Sequence, residues 1–339
     1  MEDRRILVTG ASGFIGSHVI DALLGRGAHV RALVRRTSEI GHLEAAGVEL
    51  YFGDLTDDAS LRAACQGVDT VVHAAAVVGS YGSWDHFYEV GVRGTERLID
   101  AASDAGVDRF VLISSIAVYG LRDGMARLTE ETPFDREPQR WNHYVREKVL
   151  SEDALWAAHA AGRIRATAIR PAVVLGRGDR NAVPRMAGLL ESPLSLFPGR
   201  GDNRFPVVVV QDCAEAIVRA CEREVAVGRA YNISGKEPIT QAELYAMLAE
   251  AANLAPPRWR IPCGVALSLT AGLELGWRVL RRPGEPFATR IAVAVTGYDY
   301  DVDCTRAREE LGWEGRRPYR RALEEAMGLV PEAPLAASA

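Results

Sequence analysis

The sequence predicts an α/β protein: a doubly wound parallel sheet with a smaller, mostly helical C-terminal lobe. Short apolar runs alternate with longer segments of helical period over the first half of the chain. Within those runs apolar and polar residues do not alternate, as expected where helices cover both faces of a parallel sheet. Beyond Arg170-Pro171 the rhythm breaks into glycine- and proline-punctuated loops, which marks a second lobe.

Strands are expected at residues 6–9, 30–34, 48–52, 70–73, 110–114 and 166–169, with helices between them. This order implies right-handed crossovers. Gly176, Gly178, Pro184, Pro193, Pro198, Gly199 and Gly201 then interrupt the chain. Residues 207–210, 213–222 and 230–233 read as a strand, a helix and a strand that return to the sheet. From about residue 238 the pattern is helical. The expected division is residues 1–175 with 206–235 as one domain, 176–205 with 236–330 as the second lobe, and 331–339 as a disordered tail.

The 339 residues are 48% hydrophobic, enough for a large core. The 45 acidic and 40 basic residues give a net charge of -5 and form no basic block, which argues against nucleic acid as a partner. Cys65, Cys213, Cys221, Cys263 and Cys304 are scattered without paired spacing, so neither a metal site nor a disulfide framework is expected. The first apolar strand begins at Ile6, leaving no room for a secretory leader, and no apolar run reaches the roughly 18 residues of a membrane span. A reducing, cytoplasmic setting is the expectation.

The strongest local signal is TGASGFIG at 9–16, between the first strand and a helix opening near Ser17. Glycines at 10, 13 and 16 let the backbone, with Ser12, Phe14 and Ile15, approach a pyrophosphate at the positive end of the helix. In a βαβ setting this is a dinucleotide fingerprint, and the sheet is then of Rossmann type. The second strand ends Leu33-Val34-Arg35-Arg36, without the acid that binds a ribose 2′-hydroxyl. Arg35 and Arg36 suit a 2′-phosphate, so NADP(H) is the preferred cofactor and NAD(H) the second choice; solvated strand-end arginines are the alternative. Asp54, followed by Leu55, sits where an adenine contact falls, or else caps the helix near Asp57. Ala74, Ala75 and Ala76 leave the fourth strand with side chains small enough for close approach to a cofactor. His73 before them reads as structural.

Tyr144 and Lys148 lie four apart on a helix over 142–160 and share a face. An ammonium beside a phenol favours the phenolate, which suits proton transfer to or from a substrate oxygen. Ser115, leaving the fifth strand, can hydrogen-bond the same oxygen.

TGASGFIG, Ser114-Ser115 with Val118-Tyr119-Gly120, Tyr144 to Lys148 and Arg170-Pro171 together resemble the extended short-chain dehydrogenase/reductase family over nearly the whole chain. The stretch from Trp141-Asn142 to Lys148, with Asp299-Tyr300-Asp301 and Leu311-Gly312-Trp313, is most similar to its 3β-hydroxysteroid dehydrogenase-like branch. The resemblance implies that Ser115, Tyr144 and Lys148 are catalytic and that Lys148 also binds the nicotinamide ribose. It places Gly10, Gly13, Gly16, Arg35, Asp54 and Ala74 to Ala76 against cofactor, with Pro171 and Val173 near the nicotinamide. It also implies a homodimer paired through helices near 87–105 and 144–160. One position departs from the family pattern: Gly91 stands where an asparagine usually supports the proton relay.

The Ser, Tyr and Lys do not choose a substrate, since nucleotide-sugar epimerases and dehydratases share them. After Arg170-Pro171, however, the chain reads Ala172-Val173-Val174, without the asparagine that holds a diphosphate in those enzymes. Arg177, Arg180 and Arg185 leave an anionic substrate open, with solvated arginines the commoner reading. Val265, Leu269, Leu273, Trp277 and Leu280 fall on one helical face that ends in Arg281-Arg282. That face reads as packing into the smaller lobe, ahead of a membrane contact or the mouth of an apolar pocket. The expected activity is alcohol–ketone interconversion on a lipophilic, steroid-like or polycyclic molecule. The alternatives are a nucleotide-sugar epimerase or dehydratase, and a catalytically weak dinucleotide sensor.

Overall fold

A computed structural model describes residues 1, 4–77, 79, 81–122, 124, 127–192, 195–282 and 284–331. Most of the expected tail, 332–339, lies outside the described residues. The first half runs β1 (Arg5–Thr9), α1 (Phe14–Leu24), β2 (His29–Val34), α2 (Gly41–Ala45), β3 (Glu49–Phe52), α3 (Asp58–Cys65), β4 (Thr70–His73) and α4 (Trp84–His86). A π-helical stretch, Phe87–Arg93, joins α4 to α5 (Gly94–Asp104) without a break. Then come β5 (Arg109–Ile113), α6 (His143–Ala160) and β6 (Ala166–Pro171).

These strands and a later one, paired in the order β3-β2-β1-β4-β5-β6 and then Arg229–Ile233, form one seven-stranded parallel sheet. The central strands are apolar at residues 6–8, 71–72 and 110–113 because both faces are covered. Along β1, Ile6 and Val8 pack with Val19, Ile20 and Leu23 of α1, while Leu7 points the other way among Leu61, Leu98 and Leu155. Each such side chain contributes on the order of 1.5–3 kcal/mol by leaving water.

The remainder comprises β7 (Val173–Leu175), α7 (Ala182–Glu191), β8 (Leu196–Pro198), β9 (Val207–Val209), α8 (Val210–Glu222), β10 (Arg229–Ile233), α9 (Gln241–Ala251), β11 (Trp259–Ile261), α10 (Cys263–Val279), α11 (Arg290–Gly297), α12 (Thr305–Leu311) and α13 (Tyr319–Ala326). The strand expected at 207–210 does not return to the main sheet. It stops at Val209 and pairs with β7 instead, Val173 opposite Val207. The open edge of β6 goes to β10, whose five residues make a longer ladder, Arg229 opposite Thr167 through Ile233 opposite Pro171. A separate core of Val183, Met186, Phe197, Leu244, Leu248 and Leu323 fills the second lobe. There the Phe197 and Tyr245 rings meet edge to face, 4.6 Å apart, and α9 opens with a capping box between Thr240 and Glu243.

The face expected to bury α10 is not the buried one. Ala266, Thr270 and Glu274, one position along, pack inward, whereas Val265, Leu269 and Leu280 are 48%, 58% and 69% exposed. The helix is held by an ion pair, since Glu274 accepts from the Arg290 side chain at 2.6 Å and from the Arg290 backbone at 2.8 Å. A pattern of large apolar residues could not reveal that anchor. Among the described residues no helix is long and apolar enough to cross a membrane.

Candidate active site

A cavity of about 2100 Å³ opens at the carboxyl ends of β1 and β4. The strand order reverses there, which is where open α/β sheets bind ligands. Gly10 has φ +68°, and a Cβ on it would lie 2.6 Å from the Ala75 nitrogen; a Cβ on Gly16 would lie 2.1 Å from the Gly10 carbonyl oxygen. The close packing of Gly10 against Ala74-Ala75, and of Gly16 against the Gly10 carbonyl, therefore requires glycine at both positions. Gly13 caps α1, whose first turn holds no acidic side chain to compete with a phosphate. Ser12, Phe14, Ile15, Leu55 and Ala76 line the same space. A dinucleotide fits this cradle.

Asp54 also faces the cavity, and its carboxylate accepts from the Thr56 nitrogen at 2.9 Å and hydroxyl at 2.7 Å. The α3 cap is Asp57, which accepts from the Ala59 nitrogen, so Asp54 is not that cap. Arg35 lines the cavity, but Arg36 does not; its guanidinium lies over the Phe52 ring at 5.6 Å. β2 ends at Val34 and Arg36 lies in the turn that follows, closed by the Ser38 nitrogen on the Arg35 carbonyl, so its side chain leaves the pocket for Phe52. Pro171 is likewise buried in β6 opposite Ile233, and Ala172, Val173 and Val174 form the wall instead. Thr37, Ser38, Glu39 and His42 line the rim beyond Arg35, and Arg177 to Ala182 face them across it. The Arg180–Glu39 ion pair, 2.6 Å, joins these two segments; nothing local in the sequence links positions so far apart.

At the other end of the cavity the β5 terminus meets α6. Ser115 Oγ accepts from the Ala117 nitrogen at 3.1 Å and starts a 3-10 turn, Ile116–Tyr119, with Ser115 on the cavity wall. Ser114 points the opposite way and donates to Glu152 at 2.6 Å. The Asn142 side chain caps α6 by accepting from the Val145 nitrogen, which sets Tyr144 and Lys148 on the cavity face, with Lys148 Nζ 5.8 Å from the Tyr144 ring centroid. Burial opposes the Lys148 charge, but Glu147, Tyr144 and Glu152 outweigh it and hold the ammonium above the usual lysine range. His73 sits behind this face between Thr9 Oγ1, 2.7 Å, and Thr95 Oγ1, 3.0 Å. Burial, reinforced by Lys148, lowers its pKa to about 3, so it is a neutral structural residue.

The sequence model of the NAD dependent epimerase/dehydratase family matches residues 6–234, from the first strand to the last of the sheet. The chain belongs to that family. It is 31% identical to the 3 beta-hydroxysteroid dehydrogenase/Delta 5-->4-isomerase of Mycobacterium tuberculosis, over 95% of this chain and 89% of that one. It is 28% identical to the 2-alkyl-3-oxoalkanoate reductase of Shewanella oneidensis, over 90% and 81%. A solved short-chain dehydrogenase/reductase superfamily protein from Agrobacterium tumefaciens, with bound NAD, superposes with TM-score 0.73 at 25% identity over 96% of each chain. This epimerase/dehydratase-family protein is thus an extended short-chain dehydrogenase/reductase, an NAD(P)-dependent enzyme acting at CH-OH and C=O groups.

The second lobe closes the cavity of this family member with a largely apolar wall. Met186, Leu189, Tyr245, Leu269, Leu273 and Ile291 all reach it, with Phe287 at the rim. Leu269 and Leu273 belong to the apolar α10 face read from the sequence, so part of that face borders the cavity. Of the arginines considered for an anionic substrate, Arg180 is paired with Glu39 and Arg185 with Glu285.

Proposed function

We propose that the protein interconverts a secondary alcohol and a ketone with NADP(H), on a lipophilic substrate of steroid-like or polycyclic type. The observation that carries this reading is the convergence of Ser115, Tyr144 and Lys148 on one cavity whose second-lobe wall is apolar. Gly10, Ser12, Gly13, Phe14, Ile15, Gly16, Asp54, Leu55 and Ala74 to Ala76 would hold the dinucleotide, with Arg35 at the 2′-phosphate. Residues 1–175 with 206–235 form the cofactor domain of this scheme, and 176–205 with 236–330 the substrate lobe.

When bound, the nicotinamide supplies or accepts the hydride at carbon. Tyr144 Oη gives a proton to the substrate oxygen in the reducing direction and takes it back in the oxidising one. Ser115 Oγ hydrogen-bonds the same oxygen and fixes its distance from Tyr144. The Lys148 ammonium stabilises the charge that Tyr144 carries once its proton has left. The ketoreductase and steroid dehydrogenase relatives support this class, and the apolar Ala172-Val173-Val174 wall supports a substrate without a diphosphate. A homodimer through the 87–105 and α6 helices belongs to the same reading.

The test is NADP(H) absorbance with sterols and with bulky aliphatic and aromatic ketones, alongside chromatography of nucleotide sugars incubated with enzyme and cofactor. Turnover of the lipophilic ketones alone is the expected result. Turnover confined to the nucleotide sugars would replace this reading with epimerase or dehydratase chemistry.

A further inference from the structure

Gly91 lies within the π-helical stretch, and the space a side chain there would occupy is already filled. A Cβ on it would stand 2.4 Å from Glu147 Cγ, 2.7 Å from Cδ and 2.7 Å from Oε1. Glu147, on α6 immediately before Lys148, is 2% exposed. Its Oε2 lies 3.7 Å from Lys148 Nζ and has no hydrogen-bond partner; its Oε1 accepts from Ser151 Oγ at 3.2 Å. A buried carboxylate is strongly disfavoured unless it is paired, and among the described residues Lys148 is the cation within ion-pair distance.

We propose that Glu147 is a positioning residue for the reaction: its carboxylate occupies the place vacated at residue 91 and acts as the counter-charge that fixes the Lys148 ammonium. Gly91 and Glu147 are then a matched pair, each requiring the other. This rests on the oxidoreductase reading above.

The groups around the pair come from four elements. On α6 they are Tyr144, Lys148, Ser151 and, beyond Lys148, Glu152. From the π-helical stretch comes the Gly91 carbonyl, which accepts from Thr95 Oγ1 at 2.6 Å and from Ser151 Oγ at 3.3 Å. Thr95 belongs to α5, and His73, neutral, to β4. Among the described residues none of these is a second cation, and Lys148 is the partner of Glu147. Burial pushes the Glu147 carboxyl up, against the pull of Lys148. Burial alone would lower Lys148, and Glu147 is the largest influence opposing it. Removing the carboxylate therefore leaves the ammonium easier to lose at working pH.

The chain has two lysines, Lys148 and Lys236, and Lys236 is exposed beside Glu314. Protein carrying 13C at lysine Cε thus reports both ammonium groups as separate resonances, with no cofactor or substrate present. In Glu147→Gln, which keeps the shape and removes the charge, the Lys148 midpoint falls by about 1–3 pH units and Lys236 stays in place. NADPH affinity by fluorescence titration remains within about threefold, and the alkaline limb of the kcat profile moves to lower pH with Lys148. An unmoved Lys148 midpoint, or a moved midpoint with an unmoved kcat limb, overturns the proposal. If Glu147→Gln does not fold, Glu147→Asp withdraws the carboxylate by one methylene, and an unchanged Lys148 midpoint in that variant overturns it equally. The titration needs no turnover. A coupled pair in a protein inactive on every alcohol and ketone would sink the proposed reaction while leaving the pairing intact.

Discussion

Arg170, near the end of β6, and Glu152, one turn beyond Lys148 on α6, form a buried ion pair whose side chains are 4% and 0% exposed. The same carboxylate accepts from Ser114, and Arg170 donates to Tyr119 Oη at 2.7 Å. The helix that carries Tyr144 and Lys148 is thereby tied to β5, β6 and the turn between them. Arg170→Met leaves Glu152 buried without its cation, at a cost of about 3–5 kcal/mol. The expected result is a melting temperature lower by on the order of 10 °C. Arg170→Met with Glu152→Leu should recover much of that loss, since burying neither charge is cheaper than burying one.

Tyr144→Phe removes the hydroxyl and little else. Turnover should fall by about 10²–10⁴-fold while NADPH affinity, read by fluorescence titration, stays within about threefold. A variant as active as the parent would refute the role proposed for Tyr144.

Arg35 and Arg36 should behave differently although they are neighbours, because one lines the cavity and the other lies on Phe52. Arg35→Ala is expected to lower kcat/KM with NADPH by about tenfold or more, with little change for NADH. Arg36→Ala should leave the NADPH to NADH ratio within about twofold. Steady-state kinetics with both cofactors decides the matter, and equal losses in the two variants would contradict the placement.

Gly16→Ala places a methyl 2.1 Å from the Gly10 carbonyl oxygen, a backbone atom that cannot move without opening the turn. Dinucleotide affinity should fall by at least about a hundredfold, or about 2.7 kcal/mol. Calorimetric titration with NADPH measures this.

His73 makes stability depend on pH. Its folded pKa of about 3 lies below the unfolded value of 6.5, so the fold favours the neutral ring. Its contribution is fully present above about pH 6.5 and is lost as pH falls toward 3, because only the unfolded chain takes up the proton. Between about pH 7.5 and pH 5 this single residue should account for a loss of about 2 kcal/mol. Urea unfolding at the two pH values should show a smaller difference for His73→Gln than for the parent.

Much of the site was legible because it is written in short, contiguous segments. The 9–16 turn, Ser115 and the Tyr144–Lys148 spacing each follow from one element, and all reach the cavity. Arg36 does not, because it lies in the turn after β2 and packs on Phe52, and Pro171 does not, because one residue along an extended strand reverses the direction of a side chain. The α10 stripe shifted by one residue for a related reason: the anchor is Glu274 with Arg290, and apolar periodicity carries no record of an ion pair.

The sequence by itself determined the parallel sheet, the glycine turn and the residues able to move a proton, since each depends on local conformation or on spacing within one helix or strand. Only the tertiary structure decided which strand closes the β6 edge, which arginine faces the cavity, and that Glu147 fills the space over Gly91. These outcomes depend on competition for one edge, one face or one volume between segments distant in the chain. Gly91 shows the difference most plainly. Read alone it is a missing amide; packed against α6 it is the room that a buried carboxylate needs.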